Sequence, residues 1–476
     1  MMANEPIPKL IFKMALPTII AFLITSIYSL ADTYFISQIP GDTTNQLAAV
    51  QVNSSLDQLI MMCGSLFAIG ANSYIARLLG QGNQKKASQV LSTAFFSAFS
   101  VGLLFAVFGS IFMVPMVRLF GSTPEAEQHS ISYATYILVA APFMASNFVM
   151  NQCLRSEGSA TLSMIGIGSG GIINCILDPF FVLAKGDALF GGLIEMPFGL
   201  GMGVAGASLA TAISKIISFA ILIYPYVFRK SVLKLSVRMI HYSKDIIGQI
   251  VSVGSSSMFR SGLAVVSSML LTNLIKMKLF ASMESMDPNA LQAVIGVGNR
   301  IMMFPFSVIL GFGSGFQPVA GYNWGAKKYD RVLESYRYAS KVAIIGSLVM
   351  CGVLMATADG MIGLFAQENE QMQRYGVVCI IMQCIAMPIH AWVAVVNMLC
   401  AGLGKAKNAL ILSTARQGSC FIPILLPMIY FFGANGIASV QAVADILSMA
   451  LAIPIAISVM KLVKTEMGKN NLLVNE

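Results

Sequence analysis

Apolar stretches long enough to cross a bilayer recur from Pro17 to Met460 of this 476-residue chain, separated by short polar gaps. A hydrocarbon core of about 30 Å takes roughly 20 apolar residues per crossing. Within it every backbone N–H and C=O must find a partner in the protein, and helices satisfy this segment by segment. The pattern predicts an all-α integral membrane protein with about twelve transmembrane helices. The predicted spans are residues 16–37, 46–72, 89–113, 130–152, 161–183, 204–228, 246–274, 290–316, 340–358, 375–400, 408–432 and 436–460. Only 11% of the residues are charged and the mean hydropathy is +0.76, against about 25% charged residues in a typical soluble domain. The deficit runs the whole length, which excludes a soluble enzyme held by one anchor. No short apolar segment with a small-residue cleavage site opens the chain, so residues 16–37 are expected to stay as the first helix.

The net charge of +9 is no sign of nucleic-acid binding, because the basic residues form no continuous stripe or aromatic-basic platform. They sit in alternate gaps instead. One set of gaps holds 21 of the 30 Lys and Arg residues, from Lys9 and Lys13 through Lys85, Lys86, Arg155 and the run Arg229 to Lys244, to Lys469. The opposite set holds only Arg118, Lys185, Lys276, Lys278 and Arg374, beside Glu125, Glu127, Glu368 and Glu370. The positive-inside rule then places both termini in the cytoplasm, which requires an even number of crossings. The eight cysteines lie mostly within apolar runs, no CxxC occurs, and His129, His241 and His390 are far apart. They read as buried packing residues, with no metal framework and no cofactor.

Three internal echoes point to duplication. Gly-Asn-Gln-Lys-Lys-Ala-Ser-Gln-Val-Leu from Gly82 returns as Gly-Ala-Lys-Lys-Tyr-Asp-Arg-Val-Leu from Gly325. Glu-Gly-Ser-Ala from Glu157 returns as Leu-Gly-Lys-Ala from Leu403, and Gly-Val-Ala-Gly-Ala from Gly203 as Gly-Ala-Asn-Gly-Ile from Gly433. Their shared order predicts two six-helix lobes related by a parallel repeat, as in an alternating-access transporter. The lobes are expected at residues 1–228 and 246–476, with a cytoplasmic linker at 229–245.

Charges within the spans single out candidate sites, since an ionised side chain near the bilayer centre costs at least about 2.5–3.5 kcal/mol. Asp32, Asp57, Asp178, Lys215, Arg260, Arg300, Arg416 and Asp445 all lie there. At about 1.5 Å per residue, Asp32 and Asp178 are each ~8 Å inside the outer ends of spans one and five, and Thr211 is ~11 Å inside span six. Tyr28 precedes Asp32 by four residues and Asn174 precedes Asp178 by four, so each pair shares a helix face. Two carboxylates in a pocket of low dielectric repel, so one keeps a proton or the pair shares a metal ion such as Na+. Oxygens of Asn174 and Thr211 suit the shell of a hard cation. The competing reading is a hydrogen-bonded cluster that only fixes helix packing. The face of Asp57 is undetermined, and pairing with Lys215 is one alternative. Arg260, Arg300, Arg416 and Asp445 form either a structural ion-pair cluster or a substrate or gating site. Pro17, Pro423 and Pro427 mark points where a helix can bend. The 31 methionines suit either an adaptable ligand lining or ordinary core and lipid-facing positions.

Several of these stretches together resemble the MATE (multidrug and toxic compound extrusion) family. They are Leu-Pro-Thr-Ile (16–19), Tyr-Ser-Leu-Ala-Asp-Thr-Tyr-Phe-Ile-Ser (28–37), Leu-Ala-Ala-Val (47–50), Cys-Leu-Arg-Ser-Glu-Gly-Ser-Ala (153–160) and Ile-Asn-Cys-Ile-Leu-Asp-Pro-Phe-Phe (173–181). Residues 203–211, 402–406, 415–417 and 433–437 continue the likeness over nearly the whole chain. The resemblance implies a V-shaped two-lobe exporter, monomeric and without a cofactor, in the bacterial cytoplasmic (inner) membrane. It would exchange a small organic, cationic substrate for protons or sodium. In the prokaryotic DinF-like branch the first-lobe cation site maps onto Asp32, Asn174, Asp178 and Thr211, with Tyr28, Tyr133 and Asn151 at neighbouring polar positions. Span seven carries Arg260 in Ser-Met-Phe-Arg-Ser-Gly and no acidic residue, which departs from the second-lobe carboxylate site of the NorM-like branch. Alternatives are a flippase for lipid-linked precursors, a polytopic membrane enzyme and a channel. The enzyme lacks a convergent catalytic set in this sequence, and the flippase lacks a strongly basic cavity.

Overall fold

Residues 2–39, 43–189, 194–228, 230–277, 288–366 and 370–475 are described by a computed structural model. Arg229, Lys278 and Glu368 of the loop-charge pattern lie outside them. The helices are α1 (Ile7–Ser37), α2 (Thr43–Gly80), α3 (Gln84–Ile111), α4 (Met113–Leu119), α5 (Glu127–Ser156), α6 (Ala160–Val182) and α7 (Val204–Val227). They continue as α8 (Lys244–Met277), α9 (Pro288–Gly325), α10 (Tyr329–Ala366), α11 (Glu370–Gly402), α12 (Ala406–Thr414) and α13 (Phe421–Asn475). A π-helical turn at Ala415–Ser419 joins the last two. Between α6 and α7 lies one short antiparallel pair, β1 (Ala188–Leu189) with β2 (Ile194–Glu195).

Among the described residues eleven helices are long and apolar enough to cross a membrane, the last running from Ala406 to Asn470. At 1.5 Å per residue that stretch would measure about 98 Å, far more than one crossing. It is broken at Gly433, whose φ of 54° and ψ of −127° no helix contains. Beyond the break, Ala434, Ile437, Val440 and Ala444 share one core cluster with Phe421, Leu425 and Ile429. A chain that runs on straight cannot do this, so Gly433 reverses it and creates the twelfth crossing.

The three sequence echoes correspond to repeated backbone geometry. Gly203, which opens α7, has φ 59° and ψ −136°, nearly the values at Gly433. Three residues on, a Cβ on Gly206 would lie 2.3 Å from Phe181 O, and one on Gly436 would lie 2.0 Å from Met428 O. Each glycine thus lets the new helix press against the backbone of the one before it. The ends of α5 and α11 are also alike: Gly158 and Gly404 have positive φ, and both turns close with the double hydrogen bond of a Schellman cap. The ends of α2 and α9 close the same way, with Gly82 and Lys327 as the positive-φ residues. This corrects the sequence register of the first echo. Gly80, and not Gly82, is the counterpart of Gly325, because the caps align. No β-carbon fits at Gly80, where one would meet Tyr322 O at 2.1 Å.

A residue held near φ 55° and ψ −130° is confined to glycine in practice, and strain of this kind costs about 1–3 kcal/mol. Gly433→Ala is therefore expected to lower thermal stability in detergent by that amount. An unchanged melting temperature would mean that the reversal does not depend on this backbone conformation.

Several helices outrun their predicted spans. Arg77, Arg155, Arg331 and Arg337, expected in loops, stand on α2, α5 and α10. Leu104, Val107, Phe108 and Ile111 of α3 form an exposed apolar stripe, and Ile345, Leu348, Val349 and Val353 form its equivalent on α10. Such stripes are solvated by lipid rather than water.

By internal packing the chain divides into two compact units, Ile20–Leu78 with Asn83–Gly254, and Met1–Ile19 with Leu79–Gly82 and Ser255–Glu476. In the first, α5 is the central helix, packed against α3 and α7. In the second, α11 takes that place among α9, α10 and α13. The segment expected as a linker is pinned along α3. Lys234 N donates to Ser88 Oγ at 3.0 Å, Ser236 N to Ser92 Oγ at 3.2 Å and His241 N to Thr93 Oγ1 at 3.0 Å. In the second unit, Ala15 and Ile19, which flank Pro17, pack on Gly315 and Gly311 of α9. Pro17 lies inside α1 without ending it, and Pro427 lies inside α13. The breaks in that region fall at the π turn and at Gly433 rather than at Pro423 or Pro427.

Candidate cation site and adjoining cavity

The site is assembled around α6. Its glycines remove the bulk that would hold neighbouring helices away. A Cβ on Gly171 would come within 2.9 Å of Ile24 and 3.2 Å of Tyr28, and one on Gly170 within 3.1 Å of Ser218. The approach of α1 and α7 to α6 brings the polar residues one turn further along into register. Asn174 Nδ2 donates to Asp178 Oδ1 and to Thr211 Oγ1, each at 3.2 Å. Asp178 and Asn174 are buried and Thr211 is 8% exposed. Asp32 interacts electrostatically with Asp178 and with Asp57. Buried Tyr133 of α5 lies within electrostatic reach of Asp32, Asp57, Tyr28 and Asp178. The four residues singled out by depth, and Tyr28 and Tyr133 beside them, therefore belong to one cluster.

The cluster is short of hydrogen-bond donors. Asp32 Oδ1, Asn174 Oδ1 and Asp178 Oδ2 are buried and have no hydrogen-bond partner. An acceptor in that position ordinarily costs about 1–3 kcal/mol, more when charged. A proton on a carboxyl group, or a hard cation that takes oxygens as ligands, supplies what these atoms lack. The donor set fits either.

The structure resolves Asp57. It stands on α2 with its Oδ1 buried and unpartnered, in electrostatic contact with Lys215 and Asp32. Lys215 follows Thr211 by one helical turn on α7, and its Nζ donates to Tyr28 Oη at 3.1 Å. The same ammonium lies 4.9 Å from the Tyr28 ring centroid. Asp57, Tyr28, Thr211 and Lys215 line one side of a cavity of about 240 Å³. Met61, Met144, Phe22 and Phe148 give it an apolar lining, Asn147 Nδ2 donates to Lys215 O at 2.8 Å, and Asn151 and Arg155 line it as well. Two of the many methionines thus line a cavity. Asn151 lies five residues before the end of α5 and accepts a 2.5 Å hydrogen bond from Ser163, while Arg155 Nε donates to Ser163 Oγ at 3.1 Å. Asn151 therefore belongs to the cavity's Arg155 end.

In the other unit, Arg416 Nε donates to Asp445 Oδ1 at 2.8 Å, and Arg416 Nη1 lies 3.2 Å from His390 Nε2. The guanidinium stacks over Phe306 at 4.2 Å. Arg260 is within electrostatic reach of Arg416 and donates to Ser257 Oγ at 3.3 Å. Arg300 is exposed and takes no part in these bonds. His390, which the sequence offered only as an isolated residue, completes the group. Its sole signal was a polar side chain in an apolar helix, two residues after Pro388. Arg416 projects from the π turn, a local widening that often marks a functional position.

A family model described as MatE matches residues 17–180 and, separately, residues 264–426. The chain belongs to the MatE family. It is accordingly a transporter and not an enzyme, and the two matches fall one in each half. The chain is 25% identical over 436 residues to the multidrug export protein MepA of Staphylococcus aureus strain MSSA476, covering 91% of this chain and 90% of the relative. It is 26% identical over 458 residues to the MepA of Staphylococcus haemolyticus strain JCSC1435, covering 94% and 93%. Among solved structures, the outward-facing conformation of a multidrug resistance MATE family transporter of the MOP superfamily matches with a TM-score of 0.86 over 98% of both chains, at 21% identity. At that identity the likeness is one of fold. This MatE fold is the twelve-helix, two-half architecture read from the echoes.

Proposed function

We propose that this MatE protein is a secondary antiporter that exports small organic, cationic compounds in exchange for protons or sodium at Asp32, Asn174, Asp178 and Thr211. The observation that carries the reading is the set of buried acceptors without donors, Asp32 Oδ1, Asn174 Oδ1 and Asp178 Oδ2, next to a cavity that shares Thr211. The relatives that match over nine tenths of the chain are multidrug export proteins, which supports efflux as the direction. Loop charge supports a multi-pass protein of the cytoplasmic membrane with both termini inside.

Coupling requires that ion and substrate prefer different states of the same lobe. With both carboxylates ionised, Asp32 and Asp178 repel and favour separation of α1 from α6. With their charge neutralised, the three helices can close and the cavity contracts. The cavity's volume of about 240 Å³ lies below the roughly 300–1,000 Å³ of drug-sized pockets, so it must widen to admit a substrate. Pro17 leaves one carbonyl of α1 without its helical partner and suits a hinge between the Asp32 end and the rest of that helix. Asp57 on the cavity wall suits a cationic substrate. Arg416, Asp445, Arg260 and His390 serve the second half as a structural cluster, with Arg300 apart from it.

Transport into proteoliposomes tests the reading. With a fluorescent cationic drug and separately imposed proton and sodium gradients, at least one gradient is expected to drive uphill drug movement. Equal drug flux with and without either gradient would overturn antiport.

A further inference from the structure

The feature left unexplained by a two-carboxylate cation site is Lys215. A lysine within a membrane span is costly, and this one opens on the cavity beside Asp57, one helical turn from Thr211 of the carboxylate cluster. We propose that the Lys215 ammonium is a tethered counter-ion for Asp32, Asp57 and Asp178, occupying the oxygens a sodium ion would need, so that the lobe couples export to protons and is indifferent to sodium. The inference rests on the reading of Asp32 and Asp178 as the coupling site and deepens it by naming the ion.

The geometry is a ladder of two rungs. Thr211 and Lys215 are four residues apart on α7, and Asp32 and Tyr28 are four apart on α1. Each pair therefore lies on one helix face. On one rung Lys215 Nζ holds Tyr28 Oη at 3.1 Å and interacts with Asp57. On the other, Thr211 joins Asn174 and Asp178, with Asp178 Oδ2, Asn174 Oδ1 and Asp32 Oδ1 unpartnered. The rungs are one turn apart, about 5.4 Å. The four-carbon stem of lysine spans that distance by rotamer changes, with three rotatable donors at its tip. Tyr28 and Asp57 interact with this ammonium, while on α5 Tyr133 lies within the carboxylate cluster and Arg155 lines the same cavity. Arg155 is held by Ser163 and lies 5.6 Å from the Phe22 ring centroid, so Lys215 is the cation that stands on the ladder.

Charge and valence both favour protons. A proton needs a single carboxylate oxygen, whereas sodium needs a shell of several oxygens. An ammonium that donates to Asp32, Asn174 and Asp178 consumes that shell, whereas a proton still needs only one carboxylate oxygen. In the cycle, protons entering from outside neutralise Asp32 and Asp178, and Lys215 rests on Tyr28 and Asp57. When those protons leave to the inside, the ammonium moves up and offsets one of the carboxylate charges. Lysine stays protonated throughout, so each proton taken up is released, and the negative charge left over is what a cationic substrate meets.

The test compares wild type with Lys215→Met in detergent and in proteoliposomes. Wild type is expected to show no change in melting temperature between choline chloride and 100 mM sodium chloride at ~pH 8, and no response of transport to a sodium gradient. Lys215→Met is expected to acquire sodium-dependent stabilisation and sodium-driven transport, since its oxygens are released to form a shell. If Lys215→Met does not fold, Lys215→Gln, which keeps a donor for Tyr28, is read instead. Sodium stabilisation of wild type, or a folded Lys215 variant that stays indifferent to sodium, would overturn the proposal. The underlying site assignment fails separately, through Asp32→Asn: if that variant still couples transport, the site is wrong, and if it is inactive while wild type responds to sodium, only the role of Lys215 is wrong.

Discussion

Asp178→Asn is expected to reduce gradient-driven efflux by at least about a hundredfold, a loss of roughly 2.7 kcal/mol of coupling, while insertion and folding are retained. The substitution preserves shape. The Asn side-chain oxygen can still accept the 3.2 Å hydrogen bond from Asn174 Nδ2. What disappears is a group able to take up a proton or share a cation. Because Asp32 and Asp178 repel, removing one charge leaves thermal stability equal or higher. Loss of transport together with a preserved or raised melting temperature separates a coupling residue from a packing residue. Asp32→Asn should behave alike, since its Oδ1 is also buried without a donor. Normal ion-driven transport by either variant in proteoliposomes would sink the assignment.

The second large effect is expected in the other half. Asp445 is only 4% exposed at its side chain and Arg416 18%, with 2.8 Å between Nε and Oδ1. Asp445→Ala leaves a guanidinium among Phe306, His390 and Arg260 without its counter-ion. Removing one member of a buried pair costs about 3–5 kcal/mol, chiefly because the other charge stays behind. A fall in melting temperature on the order of 10 °C follows, measured by thermal unfolding in detergent. Replacing both partners, Arg416→Met with Asp445→Leu, should recover most of the loss. A melting temperature for Asp445→Ala within ~2 °C of wild type would show that the pair does not hold the half together and would favour a gating role.

Much of the candidate site was legible beforehand because helical periodicity is a local property. Tyr28 with Asp32, and Asn174 with Asp178, are four residues apart, and that spacing fixes a shared face whatever surrounds the helix. Depth was legible for the same reason, since a constant rise per residue converts position into height. Asp57 was not legible. It lies inside the 38-residue α2, where apolar residues occur all around and no stripe identifies the inward face. His390 was passed over because a single histidine in an apolar helix signals nothing until Arg416 and Asp445 are seen to meet it. Arg300 was grouped with them on depth alone, and depth does not specify azimuth. The first echo was misaligned because matching letters favoured Gly82 with Gly325, whereas the conformation that recurs is the cap that follows Gly80 and Gly325.

From the sequence alone came the membrane, the even number of crossings, the duplication and the carboxylate pair. Each depends on composition, charge or spacing along one chain, and each follows from the cost of unpaired or charged groups in hydrocarbon. The tertiary structure alone decided that Asp57 and Lys215 join the carboxylates, that Thr211 links them to a cavity, and that Gly433 turns one long apolar run into two crossings. Those outcomes depend on how close neighbouring helices come and which way each is rotated. Such quantities are set by glycines packed against distant backbone, as at Gly170, Gly171 and Gly436, and spacing along the chain does not encode them.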